Sequence, residues 1–280
     1  MSNGPPTGRI SAKRRPFENV VADVRHAVYA VIQRKPDPQS GLQQVAAIGS
    51  GFLASSNVFV TCYHVLMNAR TPHQDGIQYD LVNNLGSTAG PIRGSVYTVT
   101  NAVVGRNVHL FPDDDLAVLL IDGNQNRAYL PLEFGEINIG TEIGVAGYPI
   151  PRLFIVNGKI SIEGLLFRVA KSALTDTYVT SINTESGATL PNIPVMEVNF
   201  LFVAGNSGGP IFSAETGRVM GFVHGYQTYK ILERLETVTM IKDLPEGMGK
   251  TYIQNQSALY SLGITLSRVR DHLERFGVSL

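Results

Sequence analysis

Short apolar runs alternate with turn residues along the whole chain, and sustained helical periodicity is scarce. Residues 1–18 are polar and predict a flexible tail, and residues 17–25 predict a short helix. Residues 27–32, β-branched and aromatic, predict the first strand. Pro36 and Pro38 predict a loop over residues 34–40. Residues 45–54 predict a strand bent at Gly49-Ser50-Gly51. After a Ser55-Ser56-Asn57 turn, residues 58–61 predict a strand that runs straight into one helical turn at 62–67. Further strands are predicted at 95–104, 116–121, 143–146, 153–162, 165–169, 178–182, 195–203, 210–212, 219–226 and 259–266. A closing helix is predicted over 268–276, with Ser267 as its N-cap and Gly277 as its stop. Two successive sets of about six strands fit an all-β fold of two six-stranded antiparallel β-barrels, about 120 residues each. The expected units are 19–127 and 128–280, with a long loop at 227–257 that is more than a tight hairpin needs.

Composition narrows the function classes. The chain has 280 residues, 44% hydrophobic, which is enough to bury a sizeable core. Lys+Arg and Asp+Glu both number 23, so neither nucleic acid nor an anionic membrane is expected as a partner. The single cysteine, Cys62, cannot form an intramolecular disulfide. Residues 1–18, with Pro5-Pro6 and Lys13-Arg14-Arg15, lack the apolar core of a signal peptide, and a cytoplasmic location is expected. His26, His73, His109 and His272 show no metal-ligand spacing with one another or with acids, so neither metal nor cofactor is expected.

The candidate chemistry centres on Ala204-Gly205-Asn206-Ser207-Gly208-Gly209-Pro210-Ile211-Phe212. The glycines permit turns closed to other residues and keep side chains away from an incoming substrate. The N–H groups of Gly205 and Ser207 can then converge on one point, as an oxyanion hole requires. A serine hydroxyl is a weak nucleophile and needs a base and an orienter. His64, at the end of a strand, offers the base. Asp113-Asp114-Asp115 precede an apolar strand and offer the orienter. Asp113 and Asp114 read as a solvated turn, though either remains an alternative to Asp115. Cys62 reads as a small buried neighbour of the histidine. Gly205-x-Ser207-x-Gly209 also fits the nucleophile elbow of an α/β-hydrolase, with Asp243 and His272 as formal partners. That motif requires a helix after the serine, where this chain predicts a strand.

Val60-Thr61-Cys62-Tyr63-His64-Val65, Asp115-Leu116-Ala117-Val118-Leu119 and Gly205-Asn206-Ser207-Gly208-Gly209-Pro210 together resemble the trypsin-like serine peptidases of chymotrypsin fold. The similarity is greatest to the cysteine-poor bacterial branch of HtrA-like peptidases, here without a PDZ domain. The resemblance implies a serine endopeptidase acting on protein or peptide substrates, with His64 as base, Asp115 as orienter and Ser207 as nucleophile. It implies an oxyanion hole at Gly205 and Ser207. Asn206 departs from the aspartate of trypsin itself, which implies no activation by a freshly cut N-terminus. The substrate pocket is implied at Leu201, Ala204, His224, Gly225, Tyr226, Ser261 and Gly263; no acid lies there, so an apolar residue is expected before the scissile bond. His224 has a second expected place, against Asp115 at the edge of the triad. The loop at 227–257 is expected to control access or to hold a regulatory partner. The other function class is a catalytically inactive or partner-gated binding module on the same fold.

Overall fold

The computed structural model describes residues 8–36, 43–67, 72–86, 94–123, 126–149, 152–156, 159–163, 165–183, 189–200, 202–230 and 257–278. The first half opens with α1 (Phe17–Val24) and continues through β1 (Val28–Pro36), β2 (Gln43–Leu53) and β3 (Val58–Cys62). One helical turn, α2 (Tyr63–Leu66), follows, then β4 (Ile77–Val82), β5 (Val96–Ala102) and β6 (Val108–Phe111). A 3-10 turn, Pro112–Asp114, leads into β7 (Leu116–Leu120). These strands form one antiparallel sheet in the order β5-β4-β1-β2-β3-β7-β6.

The second half holds β8 (Glu142–Gly147), the hairpin β9 (Arg152–Val156) and β10 (Lys159–Glu163), β11 (Arg168–Asn183) and β12 (Thr189–Val198). It ends with β13 (Pro210–Ser213), β14 (Val219–Lys230), β15 (Ser257–Thr265) and α3 (Leu266–Glu274). Six of its strands close into a barrel, β11-β12-β15-β14-β13-β8. The architecture is thus all-β with a short C-terminal helix. The barrel has the expected six strands, and the first sheet has seven among the described residues.

Packing follows from the pattern of side chains. All five residues of β3 are buried, so both faces of the strand are covered, while β2 and β7 pair with its two edges. Phe52 and Phe59 are fully buried there, each contributing about 1.5–3 kcal/mol by leaving water. In the barrel the period of two separates neighbours. Ile211 and Val145 join one apolar cluster, while Phe212 and Ala146 join the other.

The structure corrects several expectations. The single strand expected at 153–162 is the antiparallel pair β9 and β10. Of the strand expected at 165–169 only Arg168 and Val169 are strand, and they join the strand expected at 178–182 in one long strand, β11. β12 begins six residues before the expected 195, despite Pro191 and Pro194. Its pairing with β15 is confined to Val195–Val198, so the proline-bearing half has β11 on one side only and tolerates missing donors. The closing helix, expected over 268–276, is α3 at Leu266–Glu274, with Thr265 rather than Ser267 at its N-cap position and Arg275 at its C-cap; Gly277, at φ 72°, lies in the turn beyond it. Residues 8–10, where the described chain begins, make backbone contacts. Gly8 and Ile10 donate to the carbonyls of Arg127 and Tyr129, and Ile10 is buried. Of the loop expected at 227–257, residues 231–256 lie outside the described residues; strand pairing continues past Tyr226 to Lys230 opposite Ser257. No helix among the described residues is long and apolar enough to cross a membrane.

Candidate active site

β3 delivers Thr61 and Cys62 to the point where the chain turns into α2, so His64 stands at the end of a rigid, buried strand. The Thr61 hydroxyl donates to the carbonyl of Ser50 at 2.7 Å, tying β3 to β2. Asp115 sits between the 3-10 turn and β7 in a left-handed conformation, φ 45° and ψ 35°. A non-glycine residue there is strained, and strain of this kind persists where the surroundings over-determine it. The surroundings are explicit. Tyr63 N–H donates to the Asp115 carbonyl at 2.9 Å, and His64 N–H donates to Asp115 Oδ1 at 3.0 Å.

His64 Nδ1 lies 3.0 Å from Asp115 Oδ1 and 2.8 Å from Oδ2. Asp115 is wholly buried. Burial alone would raise its pKa; the charge of His64 and hydrogen bonds from His224 and His64 outweigh that and hold the carboxyl well below the usual carboxylate range. An ionised, buried Asp115 fixes the proton of His64 on Nδ1 and leaves Nε2 as the basic nitrogen.

Ser207 comes from the other half. Its turn is bound to the first sheet through Ser50, which is fully buried. Ser50 N–H donates to the Ser207 carbonyl at 2.9 Å and its hydroxyl donates to the Gly205 carbonyl at 2.6 Å. That hydroxyl in turn accepts from Tyr148 N–H at 2.8 Å. Gly208, at φ 83°, has no room for a Cβ, which would strike the Ser50 carbonyl and the Thr61 hydroxyl. Gly205 also has a positive φ, 96°. The Gly205 and Ser207 N–H groups take no partner among the described residues. The Ser207 hydroxyl donates to the carbonyl of His224 at 3.3 Å.

The structure brings His64, Asp115 and His224 together. The His224 ring, expected either in the substrate pocket or beside Asp115, has its Nδ1 2.6 Å from Asp115 Oδ2. Ala204 is exposed and Gly225 half-buried. Ser261 is buried and accepts from Phe202 N–H at 2.8 Å, while Gly263 is packed under the Ile211 side chain. Leu201 and the side chain of Tyr226 lie outside what is described.

Two features escaped the sequence reading. Asp113 is exposed as expected, but Asp114 is buried. It pairs with Arg268 Nε at 2.5 Å and His272 Nε2 at 2.7 Å, so α3 clamps the turn that carries Asp115. The second is Ser50, which read only as part of a strand bend. Cys62, His64 and Asp115 also bring possible metal ligands within 4.8 Å of one another. The Cys62 thiol, however, donates to the Val223 carbonyl at 3.1 Å, and burial followed by the charge of Asp115 pushes its pKa well up, which disfavours the thiolate a metal would need.

The model of the trypsin-like peptidase domain matches residues 49–222, more than half of the chain. The chain belongs to the trypsin-like peptidase family. That match takes in His64, Asp115 and Ser207 and ends just before His224. Among solved structures, the peptidase aligns with the Rv3671c protease of M. tuberculosis, active form, at a TM-score of 0.53 and 16% identity, over 100% of this chain and 94% of that one. It aligns with the HtrA-type protease AlgW with a decapeptide at 0.53 and 16% identity, over 93% of this chain and 66% of that one. These neighbours support the chymotrypsin-like fold of the peptidase. No curated protein sequence matches the chain significantly.

Proposed function

We propose that this peptidase is a serine endopeptidase that hydrolyses peptide bonds in protein or peptide substrates through an acyl-enzyme. Residues 19–127 carry the base and its orienter, and residues 128–280 carry the nucleophile. Ser207 Oγ attacks the scissile carbonyl carbon while His64 Nε2 takes the hydroxyl proton. Asp115 holds the resulting imidazolium. The Gly205 and Ser207 N–H groups stabilise the oxyanion of the tetrahedral intermediate. Collapse of that intermediate breaks the C–N bond, and His64 passes its proton to the leaving amine. Water, deprotonated by His64, then attacks the ester, and Ser207 Oγ regains the proton as the acid departs. That no acid lies among the expected pocket residues supports an apolar residue before the scissile bond. A lone buried thiol without a disulfide partner supports a cytoplasmic setting.

One observation carries the reading: a wholly buried carboxylate bonded to Nδ1 of a strand-end histidine, in a chain whose Ser207 turn keeps two N–H groups unpartnered among the described residues. Labelling by a fluorophosphonate probe tests it. Wild type is expected to label, and Ser207→Ala and His64→Ala to lose labelling by several orders of magnitude, about 10⁴ to 10⁶ by comparison with measured triads. Folded wild type that does not label would overturn the reading.

A further inference from the structure

We propose that His224 is a positioning residue that shares the Asp115 carboxylate with His64 and so sets the pH at which His64 takes up its proton. The inference rests on the triad reading but concerns a residue outside it. Asp115 Oδ2 meets two imidazoles, His64 Nδ1 at 2.8 Å and His224 Nδ1 at 2.6 Å. An ionised carboxylate only accepts hydrogen bonds, so both Nδ1 atoms carry protons. The two rings stand edge to face, 84° apart, with centroids 5.4 Å apart. Both are largely shielded from solvent, with side chains 16% and 10% exposed.

One negative charge therefore serves two imidazoles. When neither is protonated, His224 draws off part of the carboxylate's hydrogen-bonding capacity that would otherwise stabilise imidazolium at His64. When His224 is protonated, it places a like charge beside His64 in a weakly screened setting. Both effects disfavour protonation of His64, so both keep it a competent base at lower pH than a lone His–Asp pair would. The other groups around His224 do not cancel this. Ser207 is neutral, and Cys62 stays a thiol because its burial pushes its pKa up. Asp114, next to Asp115 in the chain, is already matched by Arg268 and His272.

His224 also touches the other end of the machinery, since its main-chain carbonyl accepts the Ser207 hydroxyl at 3.3 Å. Side-chain substitutions leave that carbonyl in place, so they isolate the ring's effect on Asp115.

The test is an NMR titration of the ¹⁵N-imidazole signals of the full chain, assigned with His64→Gln. In His224→Ala the His64 midpoint is expected to move upward by about one pH unit. In His224→Gln, which keeps a donor and loses the second cation, a smaller upward shift is expected. The acid limb of the kcat/KM profile should move in the same direction. A folded variant whose His64 midpoint stays at the wild-type value overturns the proposal. Should the variants misfold, the wild type decides: the ¹⁵Nδ1 signals of both rings must carry a proton at neutral pH, and a His224 Nδ1 without one overturns it. The titration needs no turnover, so a failure of the peptidase reading shows as unlabelled Ser207, and a failure of this one as an unmoved His64.

Discussion

Asp114 and Asp115 are adjacent, both are buried, and each bonds a histidine and a second cationic or potentially cationic group. Their environments differ in one respect that separates their roles. Asp114 pairs with Arg268, whose guanidinium is charged at every accessible pH, and with His272, which stacks on Phe111 with ring centroids 4.0 Å apart. Those partners are 37% and 22% exposed, and they belong to α3. Among the described residues Asp115 bonds two imidazoles and no permanent cation, and its side chain has no exposure of its own. The first carboxylate is a fixture that holds a helix to a turn. The second is the carboxylate that, on the proposed function, orients the base His64. Neighbouring positions in a sequence thus acquire different partners from what the fold brings to them.

The sharpest way to break this comparison is to remove each carboxylate in turn. Asp115→Asn is expected to lower kcat/KM by about 10⁴, since the amide no longer fixes the His64 proton on Nδ1. Asp114→Asn is expected to retain activity within about tenfold. Equal losses in steady-state assays would show that the two acids act as one unit. Next in size is Ser50→Ala, which strips the Gly205 carbonyl and Tyr148 N–H of a buried partner. A loss of about 1–3 kcal/mol in urea unfolding is expected, together with a fall in kcat greater than any change in KM. Asp114→Ala is expected to cost about 1–3 kcal/mol, a range set below that of a fully buried pair because Arg268 is over a third exposed.

The smallest effect concerns pH. The folded pKa of Asp115 is depressed, so the folded state binds fewer protons than the unfolded chain. Its stabilising contribution is complete above the unfolded carboxyl value, near about 4. It is lost as pH falls from there through the depressed folded value. Acid unfolding followed by circular dichroism should therefore be shallower below about pH 4 in Asp115→Asn than in wild type.

His64 and Ser207 stand out as candidates because local chemistry marks them: a histidine ending an apolar run, and a serine among glycines. Asp115 was legible through the apolar strand that follows it. Asp114 was not, because the partners that bury it lie 154 and 158 residues further along the chain. The same limit hid β4. Asp80 sits in that strand, buried, and answers to Arg34, Gln78 and Thr98, so its charge reads as a loop until those partners are known. The prolines of β12 misled in the opposite way, since their cost depends on which neighbours a strand has. The ring of His224 had two expected places, and only tertiary contact with Asp115 distinguishes them.

The hydrogen bond from Cys62 to Val223 joins β3 of the first sheet to β14 of the barrel. The chain has one cysteine, and its sulfur has no contact with solvent. Any reagent that modifies this thiol must therefore wait for the two halves to part at the seam. The rate of reaction with a chromogenic disulfide becomes an intrinsic clock for that breathing motion, readable without a label or a substrate. A peptide or inhibitor that binds across His64 and Ser207 is expected to slow the clock in proportion to its occupancy.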